Sequence, residues 1–265
     1  MPFQARAARV RDGSAVPYVE QGDPTGTPVL LVHAYADSWR SFEPVLPHLA
    51  GSLHVFAPTQ RGHGDAEKPS TGYALADLAA ELASFLDAVG VPSAVIVGAS
   101  SGGYVAQRFA LDFPERTLGL VLVGAPHSLA DPPAVLAAIA VLEDPVDPAF
   151  VREFVLATSS ERVPADFLGT MIGESSKLPA HVWRAALAGL VEAVPPTDTG
   201  TIAARTLVLW GDSDPLLPRA GQEQLAAVIP DSRLVVLPGV GHAVHWEAPE
   251  RVAGELSTFA AEIAS

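Results

Sequence analysis

Gly98-Ala99-Ser100-Ser101-Gly102 stands between a short apolar run, Ser-Ala-Val-Ile-Val at 93–97, and an amphipathic helical run at 101–113. That order predicts a strand, a very tight turn and a helix, with a serine at the bend. Such a turn needs almost no side-chain bulk two residues before and two after the serine. Glycine meets that need, and the strained bend holds the hydroxyl clear of the backbone. The spacing reads as a nucleophile, against the plainer alternative of a helix N-cap serine. Two registers compete. Around Ser100 the small residues are Gly98 and Gly102; around Ser101 they would be Ala99 and Gly103. The first register is sterically easier, which makes Ser100 the nucleophile and leaves the Ser101 backbone N–H as an oxyanion donor.

Outward from this unit, near-continuous apolar runs at 28–33, 53–57, 118–123, 206–210 and 234–237 read as buried parallel strands. Helical periodicity is expected over 38–49, 73–89, 219–229 and 249–263. The alternating segment 10–21, with a turn at Asp12-Gly13, reads as an antiparallel hairpin at a sheet edge. Strands alternating with helices imply an α/β fold, a mostly parallel sheet covered on both faces. The alternation breaks in the middle of the chain, where Pro132-Pro133, Pro145, Pro148, Pro164, Pro179 and Pro195-Pro196 punctuate a helical pattern. Helices are expected near Pro133, Pro148, Pro164 and Pro179, because proline suits a first helical turn. The division expected is a core of 1–126 and 201–265, with 127–200 inserted as a helical cap above the carboxyl ends of the strands.

A serine hydroxyl is a poor nucleophile unless a base takes its proton and a third group orients that base. Gly211-Asp212-Ser213-Asp214-Pro215 follows the strand at 206–210, and Gly239-Val240-Gly241-His242 follows the strand at 234–237. Both loops lie at the rim that carries Ser100. His242 is the expected base, with His245 its main rival, and Asp214 the expected acid, with Asp212 its rival. No acid ends the strand at 118–123, the nearest being Asp131. A second oxyanion donor is expected from the loop His33-Ala34-Tyr35, and it is assigned to the Tyr35 backbone N–H. His33 reads as a brace for that loop.

Composition excludes several classes. The chain has 265 residues, 49% hydrophobic and 17% charged, as globular proteins do. Its formal net charge of −14 disfavours nucleic acid and anionic membrane surfaces as partners. With no cysteine, thiol catalysis and cysteine metal sites are ruled out, and no metal ligand set is assigned. Residues 1–13 lack an apolar signal core, and the apolar segment 134–142 is too short to cross a bilayer, so a cytoplasmic location is expected. A homo-oligomer is compatible with the sequence but not encoded in it.

His33-Ala34-Tyr35, Arg61-Gly62-His63-Gly64, the elbow 98–103, Gly211-Asp212-Ser213-Asp214-Pro215, and Gly241-His242 with Trp246-Glu247-Ala248-Pro249-Glu250 together resemble the α/β-hydrolase superfamily. The resemblance implies an eight-stranded sheet, a Ser100–Asp214–His242 triad and a hydrolase without a cofactor, similar to small esterases, lactonases, haloperoxidase-like enzymes and carbon–carbon bond hydrolases. It departs at Ala34, where glycine is usual, and at Ala99, where histidine is common. Relatives with an aspartate nucleophile are set apart by Ser100. Arg61-Gly62-His63-Gly64 reads as a structural turn.

The expected function is hydrolysis of a carboxylic ester or lactone of a small to medium, apolar substrate through an acyl-enzyme. Candidate pocket residues are Tyr35, Ala99, Phe154, Phe167, Met171 and Trp183. The alternatives are a carbon–carbon bond hydrolase or perhydrolase with the same triad, and a ligand-binding or signalling protein with slow turnover.

Overall fold

Gly98 and Gly102 show why the elbow closes as tightly as it does. A Cβ on Gly98 would lie 2.4 Å from the Gly102 carbonyl oxygen, and one on Gly102 would lie 2.4 Å from the carbonyl oxygens of Val32 and His33. The missing methyls let a helix start directly on the ends of two strands. The computed structural model describes residues 4–129 and 135–265. Its strands are β1 (Gln4–Arg9), β2 (Ala15–Gly22), β3 (Thr27–Val32), β4 (Leu53–Pro58), β5 (Ala94–Ala99), β6 (Thr117–Val123), β7 (Thr206–Gly211) and β8 (Ser232–Leu237). They form one eight-stranded sheet in the order β1-β2-β4-β3-β5-β6-β7-β8. The pairings β1/β2 and β2/β4 are antiparallel; all later ones are parallel, with Val29 opposite Val95 and Val97 opposite Val121. This is the α/β-hydrolase architecture.

The helices are α1 (Leu75–Ala88), α2 (Ser101–Asp112), α3 (Val135–Ala140), α4 (Pro148–Ala157), α5 (Ala165–Ser175), α6 (Ala180–Val191), α7 (Pro196–Thr199), α8 (Arg219–Val228), α9 (Val244–Glu247) and α10 (Pro249–Ala264). Strand side chains alternate between two cores. Leu30, Val32, Ile96, Leu120 and Val208 pack with α1, α2 and α8. Val29, Leu31, Val95, Val97, Val121 and Leu209 pack with α9 and α10 on the other face. Among the described residues no helix is long and apolar enough to cross a membrane.

Several local expectations are corrected. The segment 38–49 forms two 3-10 turns, Trp39–Phe42 and Leu46–His48, in place of a helix. Pro44 and Pro47 lack the N–H that an α-helix would need there. The edge hairpin does turn near Gly13, but its first strand lies before Val10, with Arg9 opposite Ala15. The elbow strand continues through Gly98 and Ala99. Helices α7 and α9 were not expected. Between β6 and β7, α4 begins at Pro148, and Pro164 and Pro179 precede the first residues of α5 and α6. The Asp147 side chain accepts from the Ala149 N–H to cap α4 at 2.8 Å. The helix start near Pro133 and Asp131 lie outside the described residues.

Candidate active site

Ser100 sits at φ +48° and ψ −124°, a backbone state that costs a non-glycine residue roughly 1–3 kcal/mol and persists only where its surroundings enforce it. They do so here. The Ser100 N–H donates to the Val123 carbonyl, and the Ser100 carbonyl accepts from the Gly103 N–H, each at 2.8 Å. The turn presents Ser100 Oγ 2.9 Å from His242 Nε2, bridging 142 residues of sequence. His242 Nδ1 lies 2.9 Å from Asp214 Oδ2. The other Asp214 oxygen accepts the backbone N–H groups of Leu216 and Leu217, at 2.8 and 3.0 Å. A carboxylate tied on one side to its own loop can only present its other oxygen to the ring. The Asp214 side chain has no solvent exposure and that of His242 only 8%.

The two rival residues do other work. Asp212 Oδ1 accepts the Gly239 N–H at 2.6 Å and so joins the loops after β7 and β8. His245 is buried, with Nε2 2.8 Å from Ser41 Oγ. Burial pushes its ring down to about 3, and the neighbouring His242 pushes the same way. Glu247 Oε2 accepts the Gly241 N–H at 2.8 Å, which fixes the turn just before His242.

The loop after β3 is held from several sides. His33 Nε2 accepts the Gln60 N–H at 3.0 Å, which leaves Nδ1 to donate to the Ala34 carbonyl at 2.8 Å. Burial, with the charge of nearby His63 acting the same way, depresses His33 to about 3, so it braces the loop as a neutral ring. Ala36 adopts φ +65°. Its carbonyl accepts from buried Ser175 Oγ at 2.8 Å, and Tyr35 Oη donates to the Trp183 carbonyl at 2.7 Å. Helices α5 and α6 are thus bonded to the loop beside the elbow. The Tyr35 N–H, the expected second oxyanion donor, is engaged by Ser101 Oγ at 2.7 Å.

Among the expected pocket residues, Ala99, Met171 and Trp183 have 0% exposure. Trp183 packs with Tyr35, Phe150 and Phe154, while Met171 packs with Ala243 and Trp246. Phe154 and Phe167 are partly buried at the edges of these clusters.

Sequence reasoning missed the buried chain Asp37–Ser41–His245. Ser41 Oγ lies 2.8 Å from Asp37 Oδ2 and accepts Trp246 Nε1–H at 3.0 Å. Burial raises Asp37 to about 7, against the pull of the Ser41 hydroxyl and a backbone hydrogen bond from Ala34. These bonds join the loop after β3 to the segment that carries His242.

A buried acid, a ring and a strained serine in series can move one proton from the serine to the ring and hold the resulting charge. The model of the alpha/beta hydrolase family matches residues 29–255. Haloalkane dehalogenase 2 of Mycobacterium tuberculosis is 28% identical over 275 residues, covering 96% of this chain and 94% of that protein. Esterase RhEst1 from Rhodococcus sp. ECU1013 aligns with TM-score 0.85 and 27% identity, over 98% of this chain and 99% of that one. Est816, described as an N-acyl homoserine lactone degrading enzyme, aligns with TM-score 0.82 and 28% identity, over 96% and 100%. Fold, motif order and family match agree: the chain belongs to the alpha/beta hydrolase family of enzymes.

Proposed function

We propose that the chain is a serine hydrolase that cleaves a carboxylic ester or lactone of a small to medium, apolar substrate through an acyl-enzyme on Ser100. The observation that carries this is the unbroken series Ser100 Oγ–His242–Asp214, with both contacts at 2.9 Å. His242 takes the Ser100 proton as Oγ attacks the acyl carbon, and Asp214 stabilises the imidazolium. The leaving alkoxide takes that proton from His242. Water, activated by the same ring, then releases the acid. The Ser101 N–H, at the first turn of α2 where helix donors have no intrahelical partner, faces the oxyanion.

The likeness to a haloalkane dehalogenase supports the family and not that reaction. Oγ displacing a halide from an alkyl carbon would leave a serine ether, which water cannot cleave as it cleaves an ester. The likeness to esterases and to a lactone-degrading enzyme supports the ester or lactone reading. In this proposal residues 127–200 act as a cap, supported by the bonds from Trp183 and Ser175 to the loop after β3. Phe154 and Phe167 supply apolar surface to the acyl or alkoxy group. We place the enzyme in the cytoplasm, and fractionation of the source cells tests this. A panel of p-nitrophenyl esters, γ-lactones and N-acyl homoserine lactones tests the activity. Turnover on at least one class is expected, with a loss on the order of 10³-fold or more in Ser100→Ala. Equal rates for parent and variant would overturn the proposal.

A further inference from the structure

The second donor to the oxyanion does not lie where a bare backbone loop would put it. The Tyr35 N–H points at Ser101 Oγ from 2.7 Å, a short and well-formed hydrogen bond. Tyr35 is not free to swing, because its Oη is bonded to the Trp183 carbonyl and its ring packs edge-on against Phe154 and Trp183. Helix α2 settles closely on this loop, with Gly102 directly on the carbonyls of Val32 and His33. That close approach is what brings the side chain of Ser101, the first residue of α2, against the next peptide of the loop.

On the serine-hydrolase reading, on which this rests, we propose that the side-chain hydroxyl of Ser101 is itself an oxyanion donor, relaying the Tyr35 N–H to the reacting carbonyl oxygen. In this arrangement an oxygen held by the Ser101 N–H also takes the hydroxyl of the same residue. The Tyr35 N–H, committed to Oγ at 2.7 Å, then stands behind that hydroxyl. As Ser100 Oγ bonds to the acyl carbon, the carbonyl electron pair moves to oxygen and the Ser100 proton moves to His242. The new oxyanion accepts from the Ser101 N–H and the Ser101 Oγ–H. Ser101 keeps its proton throughout, and its lone pair stays on the Tyr35 N–H, which polarises the hydroxyl toward its acceptor. Ser101 thereby becomes a catalytic residue through its hydroxyl as well as its amide.

A competing destination for that proton lies nearby. A cavity of about 20 Å³, room for one water, is lined by Ser101, His33, Gln60 and His63, among others. His63 Nε2 is buried there without a partner. If the hydroxyl points permanently into this cavity, it only masks the Tyr35 N–H, and removing it would open a conventional two-amide hole.

The two arrangements predict opposite signs for Ser101→Ala. The relay predicts a fall in kcat of about 10- to 100-fold, smaller than or equal to the loss of one oxyanion donor elsewhere. KM should stay within about two-fold, and affinity for a trifluoromethyl ketone, which forms a tetrahedral oxyanion on Ser100, should weaken by a similar factor. Ser101→Thr, which restores the hydroxyl, should recover most of the lost turnover; if it stays as slow as Ser101→Ala, the relay is wrong. A Ser101→Ala enzyme with kcat at or above the parent's, or with unchanged ketone affinity, overturns the relay alone. Parent turnover no higher than that of Ser100→Ala would overturn the hydrolase reading and the relay with it.

Discussion

Asp214→Asn should abolish most activity while leaving the fold intact, and the structure dictates why. Two backbone donors, the N–H groups of Leu216 and Leu217, converge on Asp214 Oδ1 at 2.8 and 3.0 Å. An asparagine must keep its carbonyl oxygen there, since its NH₂ group would otherwise face two donors. The NH₂ group is then turned toward His242 Nδ1, the position Oδ2 now holds at 2.9 Å. His242 can meet a donor only with a bare Nδ1, which places its proton on Nε2, against Ser100 Oγ. The ring then cannot accept the serine proton. Such a tautomer inversion costs about 10⁴-fold in a Ser-His-Asp protease, or roughly 5 kcal/mol of transition-state stabilisation. The assay is kcat on a p-nitrophenyl ester, paired with a thermal melt. Activity should fall by about four decades while stability changes by no more than about 1 kcal/mol, because the loop donors stay satisfied. Asp214→Ala, which leaves those donors unpaired, should lose activity and stability together. An asparagine variant retaining more than about a tenth of the parent kcat would refute the reasoning.

Gly102→Ala places a Cβ 2.4 Å from two backbone carbonyl oxygens and should cost about 1–3 kcal/mol, a drop of several degrees in Tm; an unchanged melt would contradict the close approach. Asp37 is raised to about 7 by burial, from an ordinary 3.8. It is neutral in the fold and ionised in the unfolded chain between those values, so its contribution to stability is present below pH 4 and is lost by pH 7, at most about 4 kcal/mol. Asp37→Asn should therefore gain on the parent between pH 5 and pH 8 in urea unfolding, and a pH-independent difference would sink the assignment. His33, His63 and His245 are depressed by burial to about 3, 4 and 3, so they favour the fold above pH 6.5 and penalise it as pH falls. From pH 7 to pH 5 the three together cost at most about 6 kcal/mol, against about 2 gained from Asp37. The net expectation is lower stability at pH 5, measured by the same urea titrations, and a rise would contradict it.

The elbow, the parallel strands and the loops bearing Asp214 and His242 were legible because their signals are local. Glycines flank Ser100, apolar runs mark buried strands, and Gly-Asp-Ser-Asp-Pro and Gly-His directly follow two such runs. Asp214 and His242 could be placed near Ser100 because a parallel sheet gathers the carboxyl ends of its strands at one rim, and the three side chains do meet there. What stayed hidden depends on contacts between distant segments. Ser41 is one polar residue among many, yet its hydroxyl joins Asp37 to His245, 204 positions away. Nothing in the order of residues says that the Tyr35 N–H meets the Ser101 hydroxyl, because that contact follows from how closely α2 settles on β3. The helix expected over 38–49 failed for a local reason that the sequence did display: Pro44 and Pro47 forbid it, while the apolar spacing alone suggested it. The first strand was missed because Gln4–Arg9 is an edge strand with arginines at positions 6 and 9 and little apolar alternation.

The central claim is that one hydroxyl in this chain is activated by a distant ring, and fluorophosphonate labelling with peptide mass mapping tests it directly. A single adduct on Ser100, absent from Ser100→Ala and slowed by several decades in His242→Ala, is the predicted result. An enzyme that hydrolyses esters while Ser100 remains unmodified, or an adduct that persists on Ser101 or elsewhere in Ser100→Ala, would contradict it.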